Sequence, residues 1–75
     1  MNCTVFIDWD DEAGVYVATS DDVPGLVIEH QSSDMLMQRV LGLVPELFAL
    51  NRPNAESPKT VRFIVKRDAP IPLAA

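Results

Sequence analysis

The chain opens with an alternating run. In Cys3 to Asp8, CTVFID, the odd positions are apolar and the even ones mixed, with β-branched and aromatic side chains prominent, which predicts a strand. Val15 to Ser20, VYVATS, repeats the pattern across a short acidic connection, so the two runs read as a hairpin. Gly14 suits the positive-φ position that closes such a loop, and Asp10 and Asp11 are placed to bond locally to its backbone. Asp21 to Gly25 reads as a turn, because Pro24 fixes its own φ and restricts Val23 while Gly25 permits the next bend. Leu26 to His30 resumes a strand.

The period then changes from two to between three and four. Ser32 or Ser33 can cap the first amides of a helix, with Asp34 near the positive end of its dipole. Leu36, Val40, Leu43, Leu47 and Leu50 share one face, and Met37, Leu41, Val44 and Phe48 widen it. Asp34, Gln38, Gly42, Glu46 and Ala49 form the narrower polar side. Pro45 is expected to remove one backbone bond and to kink or split the helix. Asn51 is the expected C-cap, and Pro53 prevents continuation. After a turn-rich connector, Thr60 to Lys66, TVRFIVK, is a last strand. The expected division is one domain over residues 1–67 and a flexible, proline-containing tail over 68–75.

Alternation sorts the strand residues into two faces. Cys3, Val5 and Ile7 group with Val15 and Val17 and with Val61, Phe63 and Val65 as the face beneath the helix. The other face collects Thr4, Phe6 and Asp8, then Tyr16, Ala18 and Ser20, then Arg62, Ile64 and Lys66. One helix covers one side of a sheet. Phe6, Tyr16 and Ile64 are therefore expected on an open face that a second chain would cover. The reading is an α+β domain, an antiparallel sheet with one helix packed on one face, in the order strand, strand, strand, helix, strand.

Length changes this picture by adding a need for a partner. A chain of 75 residues can build one core, but a domain of this size buries only about 60% of its unfolded surface, and oligomerisation would relieve the resulting marginal stability. No apolar run reaches the roughly 18 residues of a membrane span, and the N-terminus lacks the features of a signal peptide, so the expected location is cytoplasmic. Cys3 has no second cysteine to pair with and reads as a small core side chain.

Charge divides the chain. Asp8, Asp10, Asp11, Glu12, Asp21, Asp22, Glu29 and Asp34 precede every Lys and Arg, and all 6 basic residues lie from Arg39 onward. An electronegative half repels phosphate, which argues against direct nucleic-acid binding, and it attracts and steers a basic protein. Solvation of two loops is the plainer account of the same acids.

The segment Asp8 to Glu29, DWDDEAGVYVATSDDVPGLVIE, resembles the HicB-like family of toxin-antitoxin antitoxins, closest to a group of small bacterial proteins related to it. The resemblance rests on a strand ending in acidic turn residues, a strand of the "gyvA" type at Gly14 to Ala18, and an Asp-x-Pro-Gly turn at Asp22-Val23-Pro24-Gly25. It covers about residues 3–67 and implies one helix and a last strand after the turn. It also implies a domain that neutralises a small basic ribonuclease toxin by direct protein contact. Many members add a C-terminal DNA-binding module; here the sequence stops soon after the last strand, and autoregulatory DNA binding is not expected.

Catalytic chemistry is thinly represented. His30 could serve as a general base if a carboxylate oriented it, but Glu29, its neighbour in a strand, points to the opposite face. The acids around Asp8 to Glu12 lack the full calcium-loop pattern. Trp9 stands alone and reads as a cap over the hairpin end, or as an interface anchor among acids. The expectation is no enzyme, no cofactor and no metal, with Asp8, Trp9, Asp10, Asp11, Phe6, Tyr16 and Ile64 as partner-binding residues and Gly14, Pro24 and Gly25 as turn residues. The expected partners are a second copy of the chain and a small basic toxin protein. The competing reading is a small structural or regulatory homo-oligomer with no toxin partner.

Overall fold

A computed structural model describes residues 2–68, 71 and 72 as a four-stranded sheet with one helix laid on one side. The strands are β1 (Asn2–Asp10), β2 (Val15–Thr19), β3 (Val27–His30) and β4 (Thr60–Lys66); α1 (Ser33–Asn51) lies between β3 and β4 in the chain. The α+β class and the order of elements are as expected from the sequence. Most of the predicted tail falls outside the described residues.

The sheet order is β3-β2-β1-β4. β1 pairs antiparallel with β2, and β2 antiparallel with β3, but β4 runs parallel to β1. The sheet is thus mixed, a correction to the wholly antiparallel arrangement expected. The cause is the helix. α1 carries the chain back to the end of the sheet where β1 begins, so the strand that follows must run in the direction of β1. It docks on the one edge of β1 that β2 leaves free.

The turn between β1 and β2 sets which side chains meet the helix. Its four residues, Asp11 to Gly14, leave Asp10 opposite Val15, and hence Trp9 opposite Tyr16 and Ile7 opposite Ala18. Cys3, Val5, Ile7 and Trp9 therefore share the helix side with Tyr16 and Ala18, and through the β2–β3 pairing with Ile28 and His30. This reverses the predicted faces of β2: Ala18 and Tyr16 lie beneath the helix layer, and Val15 and Val17 face away. A slip of one residue exchanges the two faces of a strand, and VYVAT is apolar on both, so its own pattern did not select one.

The core gathers Cys3, Val5, Ile7 and Ala18 from the sheet, Val23 and Leu26 from the loop before β3, and Leu36, Val40, Val44 and Phe48 from the helix. The buried helix row advances by four residues at each step, so the centre of the stripe is Leu36, Val40, Val44 and Phe48. Leu43 and Leu47 flank it, while Leu50, expected within it, is 77% exposed. Ser32 caps the helix, its hydroxyl accepting the Met35 amide at 3.3 Å. The C-cap is Arg52, one residue beyond the position expected, with its amide donating to the Phe48 carbonyl at 2.8 Å. Pro45 does not split the helix, which runs unbroken from Ser33 to Asn51. It lies on the exposed side, and Val44 and Phe48 hold the turn on either side of it against the sheet. Among the described residues no helix is long and apolar enough to cross a membrane.

The Asp-x-Pro-Gly segment completes the sheet where β2 stops short. β1 continues back to Asn2 after β2 has ended at Thr19, its partner across Phe6, which leaves Thr4 without a strand on that side. Side chains replace the missing strand: the Thr4 amide donates to Asp22 Oδ2 at 2.8 Å, and the Ser20 hydroxyl donates to the Thr4 carbonyl at 2.5 Å. The Asp22 amide in turn donates to Ser20 Oγ at 3.0 Å. Val23 then plugs the core, and Gly25 turns the chain with φ 80°. Burial, and after it the Asp22 carboxylate, push the Cys3 thiol above its ordinary pKa, which keeps it neutral inside this corner.

A Cβ at Gly25 would meet only Leu47 Cδ2 at 3.9 Å and Asn51 Nδ2 at 4.0 Å, so space is available there. Gly25→Val should therefore lose stability through backbone strain alone, by about 1–2 kcal/mol. Thermal melting checks this. An unchanged midpoint would show that the turn accepts an L side chain.

Candidate protein-binding site

The hairpin end is built by β1, its turn and the last residues of β4. Asp10 ties the turn together: its Oδ1 accepts the amides of Glu12 and Ala13 at 3.1 and 3.2 Å, and its carbonyl accepts the Gly14 amide at 2.8 Å. Gly14 takes φ 67° to allow that closure. Asp11 bonds a side chain rather than the backbone, Oδ1 accepting Trp9 Nε1 at 2.7 Å. The expected local bonds of Asp10 are present, and Asp11 anchors the indole.

Trp9 and Tyr16 stand opposite each other on the helix side, their ring centroids 4.7 Å apart at an interplanar angle of 62°. This edge-to-face pair is closed by Arg67. Its guanidinium lies 4.8 Å from the centroid of Trp9, and Nη1 donates to the Tyr16 hydroxyl at 3.0 Å. His30 lies opposite Tyr16 on β3. The imidazole, phenol and indole thus form a row across β3, β2 and β1 that Arg67 closes, a grouping that chain order hides because its members are spread from position 9 to position 67. Nδ1 of His30 accepts the Ser32 amide at 2.8 Å, which in the neutral ring leaves the proton on Nε2. Glu29 points to the other side of the sheet, as its position beside His30 in a strand requires.

Beside this row Asp8, Trp9, Asp11, Lys66, Arg67 and Asp68 line an open cleft of about 390 Å³. Carboxylates outnumber cations in it. The parallel docking of β4 brings Lys66 level with Asp8, so the charge division of the sequence is partly healed at this end. The exposed acids Glu12, Asp21, Glu29 and Asp34 lie outside the cleft.

The open side of the sheet carries Phe6, Val15, Val17, Val27 and Ile64, with Val27 70% and Ile64 38% exposed. Of the three apolar residues predicted there, Phe6 and Ile64 are on it and Tyr16 is not. Tyr16 packs against Trp9 on the helix side because the hairpin register puts it there. Lys66 Nζ stands 4.7 Å from the Phe6 ring centroid, its stem lying across this face. Trp9 and Asp11 meet at the hairpin end and line the cleft with Asp8, whereas Asp10 bonds the turn and lies with Asp8 on the open side of the sheet. Sequence reasoning missed Arg67 and His30 as members of the aromatic row, and Val15, Val17 and Val27 on the open face. The hairpin register was the signal for Val15 and Val17, while His30 and Val27 follow from the pairing of β3 with β2 and Arg67 from the docking of β4 on β1. Among the described residues no three His, Cys, Asp or Glu side chains gather to hold a metal ion.

The model of the family described as "Domain of unknown function (DUF1902)" matches residues 2–73. A solved structure, that of the hypothetical protein TTHA1013 from the extremely thermophilic bacterium Thermus thermophilus, is 38% identical in sequence with a TM-score of 0.79. The match covers 95% of this chain and 100% of that one. No curated protein matches the chain.

Proposed function

The chain belongs to the DUF1902 family, and we propose that it acts as a cytoplasmic protein-binding domain of the HicB-related kind, one that neutralises a small basic ribonuclease toxin by direct contact and carries out no catalysis. The observation that supports this reading is the hairpin end. Exposed Asp8 and Asp11 line a cleft with Trp9, which packs on Tyr16 and Arg67, and exposed Asp10 and Glu12 lie in the adjoining turn. An aromatic surface beside an excess of carboxylates suits a basic partner, since the aromatic rings supply affinity and the rim charges supply steering.

Neutralising the rim tests it. Asp10 and Asp11 both act as acceptors through Oδ1, and asparagine keeps that oxygen. The double variant Asp10→Asn, Asp11→Asn should therefore fold as the parent does while associating more slowly with its partner and with a flatter dependence on salt. The partner is to be captured from the source cell, identified by mass spectrometry, and studied by stopped-flow at several ionic strengths. Association as fast as the parent's at low salt would show that the acids only solvate the turn. Capture of no basic protein, with no small basic reading frame beside the gene, would remove the toxin from the proposal.

A further inference from the structure

We infer that two copies of the chain pack open face to open face about a two-fold axis that runs along the strands between β1 and β2. The strand register gives the reason. Level across the open face, in sheet order, stand Glu29, Val17, Asp8 and Lys66. The next row is Val27, Thr19, Phe6 and Ile64. The centre holds Val17 and Phe6 with Asp8 and Thr19, and the two margins carry opposite charge, Glu29 on β3 and Lys66 with Arg62 on β4.

A rotation about an axis along the strands keeps each row at its level and exchanges the margins. β3 of one copy then lies over β4 of the other. Glu29 meets Lys66 of the second copy, Val27 meets Ile64 of the second copy, and the symmetry makes each contact twice. Phe6 and Thr19 fill the middle of the second row. An axis in the same plane but across the strands lays β4 on β4, so that the basic margins face each other and the charged row falls on the apolar one. Joining two copies by the free edges of β4 also brings Arg62 and Lys66 of both together, which like charges oppose. Of these, only the first pairs the opposite charges of the two margins and sets Val27 on Ile64; Asp8 of each copy then lies over Val17 of the other, beside Lys66 of its own sheet. Aligned packing of two twisted sheets accommodates it.

The exposures fit. Val27 at 70% and Ile64 at 38% lie on opposite edge strands of the same row, where this rotation covers each with the other. The Lys66 stem already crosses the face over Phe6, which presents its ammonium to a sheet laid above. Asp11, Glu12 and the Trp9–Tyr16 pair stay outside this contact, while Asp8 lies within it, so most of the surface proposed for a basic partner remains free in the dimer.

The test uses the purified chain alone and so is independent of any toxin. Sedimentation equilibrium should give a dimer. Glu29→Lys and Lys66→Glu should each raise its dissociation constant about tenfold or more. An equal mixture of these two variants should dimerise more tightly than either does separately, because each reversed margin then meets its complement. Val27→Asp, at an exposed position, should abolish the dimer without loss of the core and covers the case in which a charge reversal disturbs folding. A monomer persisting at high micromolar concentration overturns the inference. So does a dimer that these variants leave intact, or a mixture no tighter than its components.

Discussion

Phe48→Ala should lower the stability of the fold by about 3–5 kcal/mol, enough to unfold a large share of the population. Phe48 is the largest of the fully buried side chains. It ends the row Leu36, Val40, Val44 and Phe48 that seats the helix, and its carbonyl accepts the Arg52 amide that stops it. Removing the ring leaves a void beside a sheet that cannot follow it, since the strands are held by their ladders, and neighbouring side chains fill little of the gap. A domain of this length has only about 4–11 kcal/mol to lose, at the usual stability per residue. Urea denaturation followed by circular dichroism reads the loss as a fall in midpoint at constant slope. A loss below about 1 kcal/mol would mean that the helix resettles, and that burial at its C-terminal end contributes little to the fold.

Trp9→Ala should cost about 2 kcal/mol, less than a full core deletion because the indole is only half-buried. It loses the edge-to-face contact with Tyr16, the guanidinium stack of Arg67 and the bond to Asp11. Trp9→Phe keeps a ring beside Tyr16 and gives up the N–H bond, so its loss should be about 1 kcal/mol or less. The pair separates the two roles of the residue. If the indole is a cap alone, both variants bind a partner as tightly as the parent once folded. If it is also an anchor, Trp9→Phe should speed dissociation while remaining close to native in stability. Equal melting of all three proteins would remove Trp9 from the account of the hairpin end.

Much of the candidate site was legible by type and little of it by company. Asp10 and Gly14 could be read as a turn because their chemistry acts within four residues, and the structure gives both the bonds and the positive φ that this requires. Trp9 could be read as a cap, yet nothing beside it in the sequence names Tyr16 or Arg67 as its neighbours. Asp22 was visible only as one acid among several and as the first residue of a motif. Its bond to the Thr4 amide spans eighteen positions, and that bond exists because β2 ends before β1 does.

Local pattern determined the elements by itself. Period-two runs become strands and the period near four becomes a helix because each side chain's direction follows from the backbone repeat alone. Val23 and Leu26 lie in the core and Gly25 at the bend for similarly local reasons, the Pro and Gly of the turn leaving the chain few other courses. Tertiary structure decided what local pattern leaves symmetric. VYVAT is apolar on both faces, and only its pairing with β1, set by a four-residue turn, buries Ala18 and turns Val17 outward. TVRFIVK reads the same whether it runs with its neighbour or against it, and only the return path of the helix makes it parallel to β1. That one docking brings the basic end of the chain against the acids of its beginning. It also sets Glu29 and Lys66 at opposite margins of one row, because charge position in space depends on which strands become neighbours and the sequence records only the order in which they are made.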